Sequence, residues 1–388
     1  MERLWTRPFI LYTVGMLFLF TGFYLLLPTM PLFIKQLGGN EAQVGLATGA
    51  FMLAAVVVRP IVGGLLDRYG RRPFIVWGLL LFALAMYLYD WVGGIVVLLM
   101  LRILHGMTWA VSTTAVFTAV TDMIPSSRRG EGMGWFGTAM TLAMAIGPML
   151  GIWVMQNLSF GALFLIACSL SAAALFLTFG VKLPFRPQTG NRKIEFFEKS
   201  VWPVAASVFL LMIAYGGTTT FVPLFSQSIG VNSGLFFLVY AVTLTLIRPV
   251  AGKLSDRRGE TFVIIPGLAI TIAALLLLSL ATGWAGVLAA AVLFGVGFGS
   301  AQPALQVATL RLARPDRRGV ANASLLTATD LGIGLGAIAL GWVSQFGSYQ
   351  VLFTVSAVSA FLSLMLFVLV VKRLLIKIRV EGVEINHV

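Results

Sequence analysis

The 388-residue sequence contains one cysteine, Cys168, and two histidines, His105 and His387. A single thiol excludes an internal disulfide and a cysteine-ligated metal cluster, and two imidazoles leave little from which to build a metal site. Acids are scarce as well: 14 Asp and Glu stand against 27 Lys and Arg, and charged residues make up only 11% of the chain. There is no Ser/His/Asp set within the apolar segments, no two-histidine metal motif and no nucleotide-binding loop. The chain is therefore not expected to be an enzyme or to carry a cofactor. Connections such as 90–93, 157–159 and 282–285 are too short to hold an external domain.

What is abundant is apolar. At 59% hydrophobic residues the chain is too greasy for a soluble domain of this length and reads as an integral membrane protein. Runs of about twenty apolar residues, long enough to cross a roughly 30 Å hydrocarbon layer as helices, recur twelve times, from 9–34 to 351–371. The first run lacks a cleavage site and is too long for a signal-peptide core, so it reads as a retained helix. The net charge of +13 would suggest nucleic acid in a soluble protein, but here its placement is a topology signal and no nucleic-acid partner is expected. Of the 27 basic residues, 23 fall in the termini, the middle loop and one alternating set of connections, which puts both termini on the cytoplasmic side of a cell membrane.

The chain is also a tandem duplication. Residues 59–79 overlay 248–268 at a constant offset of 189, with ten of those twenty-one positions identical. The offset carries on into Arg128-Arg129-Gly130 and Arg317-Arg318-Gly319, and then pairs Thr138, Gly147, Trp153 and Gln156 with Thr327, Gly336, Trp342 and Gln345. Parallel membrane repeats of this size build two-halved transporters. The expected architecture is an all-α membrane protein of twelve helices in two pseudo-twofold related six-helix bundles. These are a first half at 1–184, a polar cytoplasmic linker at 185–200 and a second half at 201–388.

Between the second and third runs lies Gly63-Gly-Leu-Leu-Asp67-Arg68-Tyr-Gly70-Arg71-Arg72. This pattern, with its degenerate copy at 252–259, resembles the signature of the major facilitator superfamily, and the resemblance extends over the whole chain. Physically, the glycines permit close helix approach and a tight turn, Asp67 can face a helix amino terminus, and the arginines can face a helix-end carboxylate, with Asp122 the obvious partner. The resemblance implies a cytoplasmic latch of Asp67, Arg68, Arg71, Arg72 and Asp122, echoed by Asp256 and Arg257. Glu260 and Thr261 stand where Arg71 and Arg72 would repeat, which suggests a weaker latch in the second half.

Arg102, followed four residues later by Gly106, resembles a second motif of the family. Arg102 lies roughly 12 Å deep in the fourth run, where a charge is expensive and normally faces a cavity. Arg102, His105, Trp109 and Ser112 recur at intervals of three or four and so share one stripe of a helix. Gly147-Pro148-Met-Leu-Gly151 resembles, incompletely, the motif of proton-driven exporters, with Ala143 and Ile152 replacing glycines; it reads as a seal or hinge. Asp330, about eleven residues past Gly319 and roughly 16 Å into its run, is the one acid expected in mid-membrane. Its counterpart in the first copy is Thr141, so the duplication does not account for it. A buried carboxyl disfavours its charged form, which suits a group that binds and releases a proton.

In this family the first, fourth, seventh and tenth helices line the central cavity. That implies a lining of Tyr12 and Tyr24, Trp109 with Thr113, Tyr215 with Thr218 and Thr219, and Gln302 with Gln306. The expectation is a monomeric antiporter exporting small amphipathic or drug-like molecules, a multidrug-efflux type. Asp330 and then His105 couple to protons, Arg102 orients substrate, and lipid is the only other partner. A proton-coupled symporter or uniporter importing a sugar or organic anion is the alternative.

Overall fold

The structure is a computed structural model that describes residues 4–125, 128–181, 198–314 and 318–377. Among these residues there are twelve helices long and apolar enough to cross a membrane, and no strand. In the first half they are α1 (Arg7–Gln36), α2 (Glu41–Tyr69), α3 (Arg71–Leu88), α4 (Ile95–Met123), α5 (Arg129–Asn157) and α6 (Phe160–Phe179). The second half holds α7 (Trp202–Ser228), α8 (Ser233–Arg258), α9 (Glu260–Leu280), α10 (Trp284–Leu312), α11 (Arg318–Phe346) and α12 (Tyr349–Leu366), the last running on through a π turn, Phe367–Val371.

The chain divides into two compact units, Met1–Ile194 and Glu195–Val388. Of the expected linker, only Glu198, Lys199 and Ser200 lie among the described residues; the Glu198 amide donates to Ser324 Oγ on α11 at 3.0 Å. Within the first unit, α1 packs on α5 and α6, α2 on α4, and α3 on α4 and α6. The second unit repeats this plan six helices later: α7 packs on α11 and α12, α8 on α10, and α9 on α10 and α12. The repeat read in the sequence is thus a repeat of packing partners.

Large apolar side chains such as Trp77, Phe176, Leu280 and Phe346 stand on the outside of their bundles, where lipid is the solvent that accepts them. Their helices are held inward by glycine seams. Gly106 on α4 lies directly against the Phe51 carbonyl of α2, and at the repeat position a methyl on Gly295 would sit 2.9 Å from the Tyr240 carbonyl oxygen. The turn joining α2 to α3 passes through Gly70 at φ 84°, and its copy between α8 and α9 through Gly259 at φ 90°. That left-handed region costs a side-chain-bearing residue roughly 1–2 kcal/mol, so the turn needs glycine in both halves.

Candidate functional site

The stripe read on α4 is buried, and α1, α2 and α3 enclose it. Arg102 is 4% exposed; its Nε donates to the Ala47 carbonyl at 3.0 Å, and its guanidinium lies 4.6 Å over the Phe51 ring, both on α2. A hydrogen bond from a charged group contributes about 1.5–3 kcal/mol, and a desolvated cation on a ring about 2 kcal/mol. Together these hold a charge at a depth where it would otherwise be costly. One turn on, His105 is fully buried, with Nδ1 3.0 Å from the Tyr89 hydroxyl near the carboxyl end of the third span. The Arg102 guanidinium also lies beside the Tyr89 phenol. The Phe82 and Phe51 rings close on the imidazole with centroids at 4.5 and 5.0 Å.

Trp109 continues the stripe. Its indole stacks on Phe23 of α1 at 4.3 Å and touches Phe20, Phe51 and Phe82, so α1 to α4 share one aromatic cluster. Tyr24 joins it through Phe20 and Phe23. Thr113 donates to the Trp109 carbonyl at 2.7 Å and accepts from Arg59 of α2 at 3.2 Å.

In the second unit the repeat position of Trp109 is Phe298, stacked on Tyr215 at 4.6 Å and on Phe294 at 5.7 Å. Thr218 and Thr219 are buried with their hydroxyls turned back on the carbonyls of Ala214 and Tyr215. Side chains bonded in this way serve their own helix first. Gln302 is half-buried on α10, and Gln306 reaches Asn322 of α11 at 3.5 Å. Asp330 is buried on α11, two residues before Gly332, which packs against the Phe209 backbone of α7. Tyr12 is buried in α1.

At the Gly70 end of the first unit, Arg71 Nε lies 2.9 Å from Asp122 Oδ2, which ties α3 to α4. Arg72 donates to the Phe179 carbonyl at the end of α6, and Arg68 lies over the Tyr69 ring. Asp67 belongs to the last turn of α2; its side chain lies outside the described residues. The close helix approach expected at Gly63 is not there, since that position faces open space, and Gly70 makes the turn.

The second unit has an ion pair at the same place, at the position where Glu260 replaces the arginine. Glu260 Oε1 meets Arg311 Nε at 2.6 Å, tying α9 to α10. Positions 260 and 311 are 71 and 122 plus 189, so the copy keeps the ion pair with its signs exchanged. In both pairs the residue on α3 or α9 is the sheltered one and its partner on α4 or α10 is about half exposed. Asp256 and Arg257 are exposed at the end of α8.

In α5, the Gly147-Pro148-Met-Leu-Gly151 segment is a seam against α1. A methyl on Gly147 would sit 3.0 Å from the Leu25 amide, and Gly151 lies against the Leu25 carbonyl. In the copy, Gly336 packs on Ile213 of α7, the repeat partner of Tyr24. Tyr89, Phe51 and the Glu260–Arg311 pair were not foreseen from sequence. The constant offset could have found the last of these; the first two depend on which faces of α2 and α3 meet α4.

Twelve apolar helices in a duplicated plan, with charged and hydrogen-bonding groups buried deep in them, define a multi-pass membrane carrier. The chain belongs to the Major Facilitator Superfamily, whose family model matches residues 12–332 and 233–381. It is similar to the staphylopine export protein of Staphylococcus aureus, 28% identical over 62% of this chain and 64% of that one. Similarity to the quinolone resistance protein NorA of the same organism is 25% over 86% and 88% of the two chains. The fold is shared with the nucleoside transporter NupG at a TM-score of 0.75 and 16% identity, over 93% of this chain and 99% of the other. It is shared too with the human organic anion transporter MFSD10, at 0.69 and 19%, over 93% and 98%.

Proposed function

We propose that this chain exports small amphipathic or drug-like molecules in exchange for protons by alternating access, from a cell membrane with both termini inside. The observation that carries the coupling is Asp330, a carboxyl buried in α11 where the first copy has Thr141. A buried acid is costly when charged, and its cost changes with each proton gained or lost. Export is supported by the names of the staphylococcal relatives and by the glycine seam between α5 and α1.

Arg102 orients the polar end of the substrate, and the aromatic cluster around Trp109 suits its apolar body. Asp67, Arg68, Arg71 and Asp122 latch the cytoplasmic side. Arg102 also favours an acidic substrate group, and this keeps the alternative of an organic-anion importer in play.

The deciding experiment uses protein reconstituted in vesicles with an internal pH dye and a panel of zwitterionic, anionic and dicationic compounds. Addition of a substrate should drive protons opposite to solute flux, with neutral or anionic compounds favoured over dications. Solute accumulating together with protons would establish the importer reading instead.

A further inference from the structure

The Arg102, His105 and Tyr89 cluster belongs to the first copy alone. At the offset of 189, Tyr89 corresponds to Leu278, Arg102 to Ala291 and His105 to Phe294, so a hydrogen-bonded group in one bundle is aliphatic and aromatic in the other. The packing beneath it is shared: Gly106 and Gly295 make the same close approach to α2 and α8. The cluster is therefore an addition to the fold and not a requirement of it.

The direction of its hydrogen bonds follows from donor chemistry. A guanidinium is a cation that can only donate, so beside Arg102 the Tyr89 phenol presents its oxygen to the charge. That leaves the phenol hydrogen for His105 Nδ1 at 3.0 Å, which must then be the unprotonated nitrogen. The ring proton sits on Nε2, which is buried and has no hydrogen-bond partner. A second proton on this ring would have to displace the phenol hydrogen from Nδ1. It would also place a second cation beside Arg102, among Phe51, Phe82 and Tyr89.

We propose that Tyr89 and His105 are positioning residues for Arg102, and that His105 acts in transport as a neutral acceptor and not as a proton carrier. The chain Arg102 to Tyr89 to His105 fixes the guanidinium over Phe51 and against the Ala47 carbonyl, so that its charge is held at one place and one angle. This rests on the reading of Arg102 as the group that orients substrate.

Two measurements test it. His105 and His387 are the only histidines, and His387 lies in the tail outside the described residues, so nitrogen NMR of histidine-labelled His387→Asn protein in detergent reports a single imidazole. The expected spectrum is one tautomer, Nε2 protonated and Nδ1 bare, unchanged from about pH 5.5 to about 8.5, with the Nδ1 signal moved by Tyr89→Phe. A resonance that titrates in that range, or a proton on Nδ1, overturns the proposal.

The second measurement follows efflux of a fluorescent quinolone from vesicles across the same pH range. Tyr89→Phe and His105→Phe, which breaks the chain by installing the second copy's residue, should each lower efflux about tenfold, the worth of one hydrogen bond in an arginine-anchored chain. His105→Asn supplies an acceptor that cannot titrate and should recover the rate, while the pH dependence stays that of the wild type in all three variants. If His105→Asn or His105→Phe loses the pH dependence, His105 carries the proton and the proposal is overturned. If wild-type protein moves no quinolone while the NMR result holds, the export reading fails for that compound and the positioning assignment stands.

Discussion

The exchanged ion pairs allow a test in which one half of the protein serves as the template for the other. Glu260 is 5% exposed at its side chain and bonded to Arg311 Nε at 2.6 Å, while Arg311 is 54% exposed. Removing one member of a buried pair costs about 3–5 kcal/mol because the other charge is stranded. Arg311 lies half in water, so solvent can take up part of its role, and Arg311→Ala should cost about 2 kcal/mol. In the first pair the acid is the half-exposed member, and Asp122→Ala should cost about 1 kcal/mol. For a bundle of this size, 2 kcal/mol corresponds to a fall of about 4–8 °C in Tm. Glu260→Arg alone sets two cations against each other and should do at least as much harm. Combining Glu260→Arg with Arg311→Asp recreates the arrangement of positions 71 and 122 and should recover most of the loss, a coupling of about 1–2 kcal/mol. Thermal unfolding of purified protein in detergent, read by size-exclusion fluorescence beside vesicle flux, supplies the four corners of the cycle. If the double variant is as damaged as the sum of the single ones, the pair does not clamp α9 to α10 and the argument fails.

Asp330→Asn should abolish proton-driven accumulation while retaining downhill exchange, because the amide mimics a permanently protonated acid; unchanged pH dependence in that variant removes Asp330 from the coupling. Gly106→Ala should cost about 1–3 kcal/mol by driving a methyl into the Phe51 carbonyl, with Gly252→Ala, which faces open space, as the control in the same unfolding assay. Asp67→Asn should lower flux at equal expression, since the residue lies at the membrane edge, where replacing it costs insertion little; wild-type flux at matched protein levels would remove Asp67 from the latch.

How much of this was legible in the sequence depends on the range of the interaction. The helices were legible because a lipid-spanning segment must be apolar along its whole length, and the expected first run, 9–34, differs from α1 by two residues at each end. The stripe of Arg102, His105 and Trp109 was legible because helical spacing is local. Its partners were not: Ala47, Phe51 and Tyr89 come from two other helices, and nothing in their own segments marks the faces they turn to α4. The hydroxyls of Thr113, Thr218 and Thr219, expected along the cavity, each donate to a carbonyl of their own helix four residues back. That bond is short-range, and the threonine positions alone allowed for it.

The duplication separates scaffold from chemistry more sharply than any single motif does. At three pairs of positions where both copies carry glycine, it faces a neighbouring helix or makes the turn: Gly70 and Gly259 at the bend, Gly106 and Gly295 against α2 and α8, Gly147 and Gly336 against α1 and α7. These pairs answer to packing, which both bundles need. Where the copies differ in chemistry, packing does not require the difference: Arg102 against Ala291, His105 against Phe294, Tyr89 against Leu278, and Asp330 against Thr141. The fixed cation falls in one half and the buried acid in the other. A carrier assembled from two equal bundles gains a polarity only by such unequal substitution, so these four pairs are where the specific work of this chain should be sought. The swapped pair Glu260–Arg311 belongs to the other class, because exchanging its signs keeps the contact and leaves the scaffold the same.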